Sequence, residues 1–175
     1  MKKVTAVSLG LFAAWALHDA EEWATMAGQG AAVMKRVPTW VPLPDNLRER
    51  GLTKAQYESA ILVMAGLMAA ASVAGARTGG RSRLFQWTLD AYGLHGIGHV
   101  ASAMLLRRYT SGSATSPLVV IPFWWWARRA LAAEGVPLRD VKPLSVLPLV
   151  PIIWVALAIG YVAARDPEIG TGDAS

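Results

Sequence analysis

Cysteine is absent from this sequence of 175 residues, and charged side chains make up only 17% of it. Without thiols the chain has no disulfides, no thiolate metal sites, no iron–sulfur clusters and no cysteine nucleophile. Any metal ion must therefore be held by histidine and carboxylate side chains. Neither a haem nor an iron–sulfur cluster is expected.

Long basic runs are also missing, although the formal net charge is +5. The basic residues fall in short groups between apolar stretches, which is typical of positions that flank membrane spans. Because basic and aromatic residues do not alternate, nucleic acid is not an expected partner. The basic groups are Lys2-Lys3, Arg81 with Arg83, Arg107-Arg108 and Arg128-Arg129.

Hydrophobic residues, by contrast, make up 54% of the chain, and eight of them are tryptophans. That share is too high for a soluble domain and ordinary for a protein with several membrane spans. We therefore expect an all-α fold, a polytopic membrane helical bundle of about five transmembrane helices in a single domain over residues 1–165. The predicted spans cover residues 4–26, 53–76, 84–106, 117–133 and 144–164, with an interfacial loop over residues 28–51 and a disordered tail over 166–175.

Local signals refine this prediction. The first span follows two lysines and could be read as a secretory signal, but the further membrane-like segments favour a retained span. Thr53 can cap the second helix with its hydroxyl group. Pro122 should kink the fourth span or divide it from an interfacial part. The tryptophans at 124–126 indicate an interfacial belt more than a substrate platform.

The sequence His-Asp-Ala-Glu-Glu at residues 18–22 ends the first apolar stretch, whose residues 4–17 carry no charge. On a helix, the residues three and four positions after His18 return to its face. His18, Glu21 and Glu22 should therefore project together, while Asp19 points away. Side chains of this kind on a membrane helix need a partner or a function.

A second polar set, His95 and His99, lies one helical turn apart in the third predicted span. The first and third spans are separated by one span and so run parallel. With a rise of about 1.5 Å per residue, His18 and His99 both lie roughly 6 Å past the midplane, so the two sets should face each other. Glu58, near the start of the antiparallel second span, comes to a similar depth, whereas Asp90 lies in the opposite half.

A carboxylate inside hydrocarbon costs several kcal/mol, and such residues usually face the bundle interior and mark a site. Adjacent carboxylates repel unless an imidazole takes up a proton or a divalent cation offsets their charge. A mixed set of imidazoles and carboxylates suits iron, manganese or zinc, and helical bundles build two-metal centres from similar pairs. The candidate metal ligands are His18, Glu21, Glu22, His95 and His99, with Glu58 as an additional candidate; His18, Glu21, Glu22 and His99 are also the candidate catalytic residues.

Simpler interpretations stay open for each set. Glu21 and Glu22 could be headgroup residues at the end of the first span. His95 and His99 could hydrogen-bond to carbonyl groups of adjacent helices.

The residues assembled above resemble the HXXEE domain family of small bacterial integral membrane proteins, whose name spells the motif at residues 18–22. The resemblance covers most of the first four predicted spans. It departs at Ser111, where members commonly have proline before the turn glycine. It implies a metal-binding, enzyme-like, multi-pass protein of the bacterial inner (cytoplasmic) membrane, and it supplies no substrate. The other matching residues are His99, the segment 105–109, Gly112, Thr115 and Pro122.

Three functions are consistent with these residues. The first is a membrane metalloenzyme that acts on a hydrophobic or amphipathic small molecule entering from the lipid bilayer. The second is a metal-free acid–base isomerase or cyclase of a terpenoid-like or polyketide-like substrate. The third is a small proton or cation carrier, a class in which internal repeats are common. The sequence leaves the oligomeric state open, including a homo-oligomer.

Overall fold

The computed structural model describes residues 2–26, 35, 39–40, 45–51, 53–141, 155, 158–159 and 162. Every regular element within these residues is helical, which confirms the all-α prediction. Most of the predicted fifth span, the tail and most of the interfacial loop lie outside the described residues. The elements are α1 (Lys2–Met26), α2 (Asp45–Arg50), α3 (Lys54–Arg77), α4 (Arg83–Leu106), a π-helical turn (Ser116–Val120) and α5 (Ile121–Ala133).

The three long helices α1, α3 and α4 coincide with the first three apolar segments of the sequence. Helix α3 begins with the predicted cap at Thr53, whose hydroxyl accepts a hydrogen bond from the Gln56 N–H. The Gln56 side chain in turn accepts one from the Thr53 N–H, which completes a capping box. Two otherwise unpaired backbone donors are satisfied in this way, so the start of α3 is well defined.

The fourth segment changes helical type just before Pro122. The chain enters through a π-helical turn, in which the Ile121 N–H donates to the Ser116 carbonyl five residues earlier, and then continues as α5. Proline lacks an N–H and so removes one helical hydrogen bond, which favours such a local change. The predicted disturbance at Pro122 therefore takes the form of a π-helical turn, and this turn contacts both α1 and α4.

Helix α1 packs mainly on α3, and α4 packs on the π-helical turn and α5. The side chains of Leu11, Phe85 and Leu131 are fully buried in the core they share. Gly93 on α4 allows close packing, because an added Cβ there would clash with the Trp124 ring. This clash explains why a residue without a side chain occupies the position.

Only the segment Gln56–Arg77, among the described helices, is long and apolar enough to cross a membrane by length and composition. The polar side chains in the C-terminal half of α1 and along α4 lower the mean hydropathy of those helices. The helical bundle is thus established, whereas its polytopic membrane arrangement stays a prediction.

A buried ion pair joins α4 to α5 at the end of α4 away from the two histidines. Asp90, 4% exposed, accepts hydrogen bonds from Trp124 Nε1 at 3.0 Å and from Arg128 at 2.6 Å. Arg128 also donates to the backbone carbonyl of Arg139. The ion pair therefore connects α4, α5 and the segment that follows α5.

Gln86, one turn before Asp90, completes this connection. Its amide nitrogen donates to the backbone carbonyls of Gly80 and Pro137, both at 3.0 Å, and its amide oxygen accepts from the Arg139 N–H. Both the amide nitrogen and the amide oxygen of Gln86 therefore have backbone partners, as buried polar groups require.

Candidate metal centre

Helix α1 presents His18 and Glu22 towards His95 and His99 of α4. The His18 ring centroid lies 5.5 Å from that of His95 and 5.2 Å from that of His99, and the latter two are 4.3 Å apart. The two polar sets of the sequence therefore meet, as their depth predicts. One ligand atom from each of these four residues, here called the histidine cluster, lies within 4.8 Å of all the others.

The closest contact in the histidine cluster joins two ring nitrogens. His99 Nε2 lies 2.8 Å from His95 Nε2 and 3.2 Å from a carboxylate oxygen of Glu22. His18 Nε2 is buried without a hydrogen-bond partner in the described part of the chain. Ligand atoms around a tetrahedral metal ion stand about 3.4 Å apart, given metal–nitrogen bonds of about 2.1 Å. The four donors fit a divalent ion after shifts on the order of 1 Å.

Glu21, in contrast, lies outside the histidine cluster. Its carboxylate accepts hydrogen bonds from the Tyr109 hydroxyl at 2.5 Å and the Ala114 N–H at 3.1 Å. It also accepts two from Thr115, from the N–H at 2.7 Å and the hydroxyl at 2.5 Å. The hydrogen bond to the Glu21 carboxylate raises the pKa of the Tyr109 hydroxyl above its usual value. The prediction of Glu21 as a metal ligand is therefore replaced by an anchoring role for the turn after α4.

The rotation of α1 explains why Glu21 and Asp19 exchange the positions predicted for them. Successive residues of an α-helix are about 100° apart. Relative to Glu22, which faces α4, Asp19 points about 60° to one side and Glu21 about 100° to the other. Asp19 consequently lines the cavity beside the cluster, and the prediction that it points away is wrong.

The turn after α4 also orients two of the histidines. Thr115 gives its hydroxyl hydrogen to Glu21, so its oxygen accepts from His18 Nδ1–H at 2.7 Å. His18 Nε2 is then left with its lone pair directed into the cluster. His99 also hydrogen-bonds to the backbone of Ser111. Metal-bound histidines almost always have a second partner of this kind, which fixes the ring.

Gly112 allows this turn to lie against the two histidine rings. Its φ is +77°, and an added Cβ would lie 2.7 Å from His99 Cε1 and 2.9 Å from His18 Cε1. The sequence resemblance includes Tyr109, Gly112 and Thr115 but assigns them no role. Their contacts with α1 join residues about 90 positions apart, which a pattern along one helix does not reveal.

A cavity of about 310 Å³ adjoins the histidine cluster between α1, α3 and α4. The four cluster residues form part of its wall, and most of the rest is apolar. An engineered apolar cavity of about 150 Å³ holds benzene, so this one has room for roughly a dozen non-hydrogen atoms. Its apolar wall includes Trp15, Ile61, Met64, Leu67 and Met68.

Two further carboxylates lie apart from the cluster. Glu58 forms an exposed ion pair with Lys54 at 3.7 Å on α3 and does not join the group of potential metal ligands. Asp90 is paired with Arg128, in the half of α4 where the sequence places it. Trp125 is exposed, as a belt position should be, whereas Trp124 packs inward and hydrogen-bonds to Asp90.

A comparison with protein families supports the sequence resemblance. The model of a family described as "Protein of unknown function with HXXEE motif" matches residues 9–127. The chain belongs to the HXXEE family. In this HXXEE protein the family match includes the whole histidine cluster and the turn that orients it. The histidine and second glutamate of the motif contribute to the cluster, and the first glutamate anchors the turn. No curated protein and no solved structure matches the chain.

Proposed function

We propose that this HXXEE protein is an integral membrane enzyme that binds one divalent metal ion through His18, Glu22, His95 and His99. Its substrate is a hydrophobic or amphipathic small molecule that occupies the adjoining cavity. The observation that supports this proposal most strongly is the convergence of four side chains that could hold a metal ion, one of which has a buried ring nitrogen without a partner among the described residues.

A metal ion would satisfy groups that otherwise oppose each other. Between His95 and His99, one ring nitrogen must donate to the other, and His18 Nε2 then remains a buried acceptor without a donor in the described part of the chain. A buried polar group without a partner costs about 1–3 kcal/mol. A divalent ion would accept the lone pairs of all three imidazoles and offset the charge of Glu22.

The types of ligand and the apolar cavity indicate which chemistry the proposed site can carry out. Three imidazoles and one carboxylate suit iron, manganese or zinc. Such an ion can act as a Lewis acid or activate a water molecule. Because the cluster forms one part of a largely apolar cavity, the reacting part of the substrate lies in apolar surroundings next to the ion.

Membrane integration is supported by large apolar side chains on the outer faces of the bundle. Leu17 on α1, Leu62 on α3 and Leu105 on α4 are 57%, 72% and 83% exposed. Apolar surface of this kind is unfavourable in water and ordinary against lipid. Basic groups at helix ends, such as the one around Arg81, suit the headgroup regions of a bacterial inner membrane.

Single cysteines can test the membrane arrangement, because the natural chain has none. A water-soluble maleimide added to open membrane vesicles should label the Arg81→Cys variant. It should label Leu62→Cys only after the protein is denatured, since lipid covers that face of α3. Equal labelling of the two native variants would contradict the membrane arrangement.

Metal content tests the site itself. Elemental mass spectrometry on detergent-purified protein, prepared without chelator, should give about one ion of iron, manganese or zinc per chain. Glu22→Gln should lose this ion, whereas Glu58→Gln, the same change in an exposed ion pair, should retain it. A wild-type protein that retains none of these ions after reconstitution would overturn the proposal.

An acid–base isomerase or cyclase without metal is the second candidate. It is favoured by Asp19, which lies in the cavity near Glu22 and could serve as a further acid or base. A metal-stripped protein that still converts a terpenoid-like or polyketide-like substrate would decide for it. The proton or cation carrier stays a prediction of the sequence.

A further inference from the structure

We propose that the Tyr92 hydroxyl donates a hydrogen bond to the non-protein ligand of the metal ion, on the side of the site that faces the cavity. The ligand is a small oxygen or nitrogen donor, such as water or azide. This inference rests on the proposed metal site and adds a group that selects what else the metal binds.

Tyr92 lies three residues before His95, on the same face of α4. Its ring meets the His18 ring edge-on, with centroids 6.1 Å apart and planes at 75°. The residue is 5% exposed and contributes to the wall of the cavity together with the histidine cluster. It therefore stands where the cluster and the cavity adjoin.

The hydroxyl of Tyr92 is buried and has no hydrogen-bond partner in the part of the chain that the structure describes. Buried tyrosine hydroxyls usually have one, and an unpaired buried group costs about 1–3 kcal/mol. A ligand bound next to the histidine cluster would supply the missing partner.

The surroundings favour a role as donor. The carboxylates of Asp19 and Glu22 interact electrostatically with Tyr92, and a hydroxyl hydrogen turns towards negative charge. Glu22 itself is directed to His99, at 3.2 Å. An acceptor atom on the metal, close to Glu22, is consequently the partner that this position suits.

The metal ion would have a free coordination position on the side that faces the cavity. All four protein ligands come from α1 and α4, whereas α3 contributes Tyr57 and otherwise apolar side chains to the cavity opposite them. Iron and manganese bind five or six ligands, so a further ligand can enter from the cavity. Four-coordinate zinc held by protein alone would instead be closed.

Cobalt(II) and azide provide the test. Visible absorption of the cobalt-loaded protein would report metal binding and then azide binding in wild type, Tyr92→Phe and Thr88→Val. Thr88 is the matched control, because its hydroxyl is also buried without a partner among the described residues, one helical turn further from the histidines. All three proteins should bind cobalt equally, and Tyr92→Phe alone should bind azide about tenfold more weakly, as expected for one lost hydrogen bond.

The outcomes separate this inference from the proposed function. Cobalt binding with unchanged azide affinity in Tyr92→Phe would overturn the role of Tyr92 and leave the metal site in place. Cobalt loss from Tyr92→Phe alone would also overturn it, since the hydroxyl would then support the protein ligands. If wild type binds no cobalt, the metal site and this inference both fail.

Discussion

Helix α4 carries two buried polar clusters, and they differ in how completely their groups are paired. In the Asp90 cluster, which comprises Asp90, Gln86, Trp124 and Arg128, acceptors meet donors: the carboxylate faces an indole N–H and a guanidinium group. In the histidine cluster, the His99 ring nitrogen faces another ring nitrogen and a carboxylate, and His18 Nε2 has no partner among the described residues. The first cluster is complete within the protein, and the second is suited to an added ion.

This difference shows that burial alone does not identify a functional site. Both clusters place ionisable residues inside the bundle, and both are expensive to bury. The Asp90 cluster uses its polar groups to connect α4, α5 and the segment after α5. The histidine cluster brings one ligand atom from each of four residues within 4.8 Å of the others, and this is the feature that distinguishes a candidate metal site.

Breaking the Asp90 cluster should have the largest effect on stability. Arg128→Met leaves the Asp90 carboxylate buried without its cation and should lower the free energy of unfolding by about 3 kcal/mol. Arg129→Met is the matched control, since Arg129 lies over the Trp125 ring at 4.2 Å and should cost about 1 kcal/mol or less. Unfolding in detergent measures both, and equal losses would contradict the structural role of Asp90.

The orientation of His18 can be tested from the turn after α4. Thr115→Val keeps the shape of the side chain but removes the link between His18 and Glu21, so metal affinity should fall about 10–100-fold. Thr110→Val removes a buried hydroxyl that has no partner among the residues that the structure describes and should leave metal affinity unchanged. Metal titration of both variants checks this. Unchanged affinity in Thr115→Val would show that His18 does not need this support.

A smaller effect is expected from the glycine that lies against the histidine rings. Gly112→Ala adds backbone strain of about 1–2 kcal/mol and pushes on the rings of His18 and His99. Gly135→Ala adds similar strain at φ +68° with nothing within 4 Å of the new Cβ. Both variants should be slightly less stable in thermal unfolding, and only Gly112→Ala should bind metal more weakly. Equal metal affinity would contradict the contact between turn and cluster.

The sequence predicts the helices and the meeting of the two polar sets because both follow from patterns along single helices. Apolar runs and the cap at Thr53 locate α1, α3 and α4, and parallel spans bring His18 and His99 to one depth. The rotation of α1 about its axis is set by packing against its neighbours. For that reason the sequence does not predict that Asp19 faces the cavity and Glu21 faces the turn.

Contacts between distant segments are the other part that the sequence does not reveal. The hydrogen bonds that Thr115 makes with Glu21 and His18, and the one from Arg128 to Asp90, depend on how a turn or helix docks on another element. Tyr92 resembles any aromatic residue of a helical core until its hydroxyl is seen to lack a partner.

Counting the imidazoles on the bound metal would test the central claim most directly. X-ray absorption at the metal edge of the purified protein should show about three imidazole ligands and one carboxylate. The His18→Ala/His99→Ala double variant should retain no stoichiometric metal. A metal with oxygen ligands only, or one that the double variant binds as well as wild type does, would contradict the account.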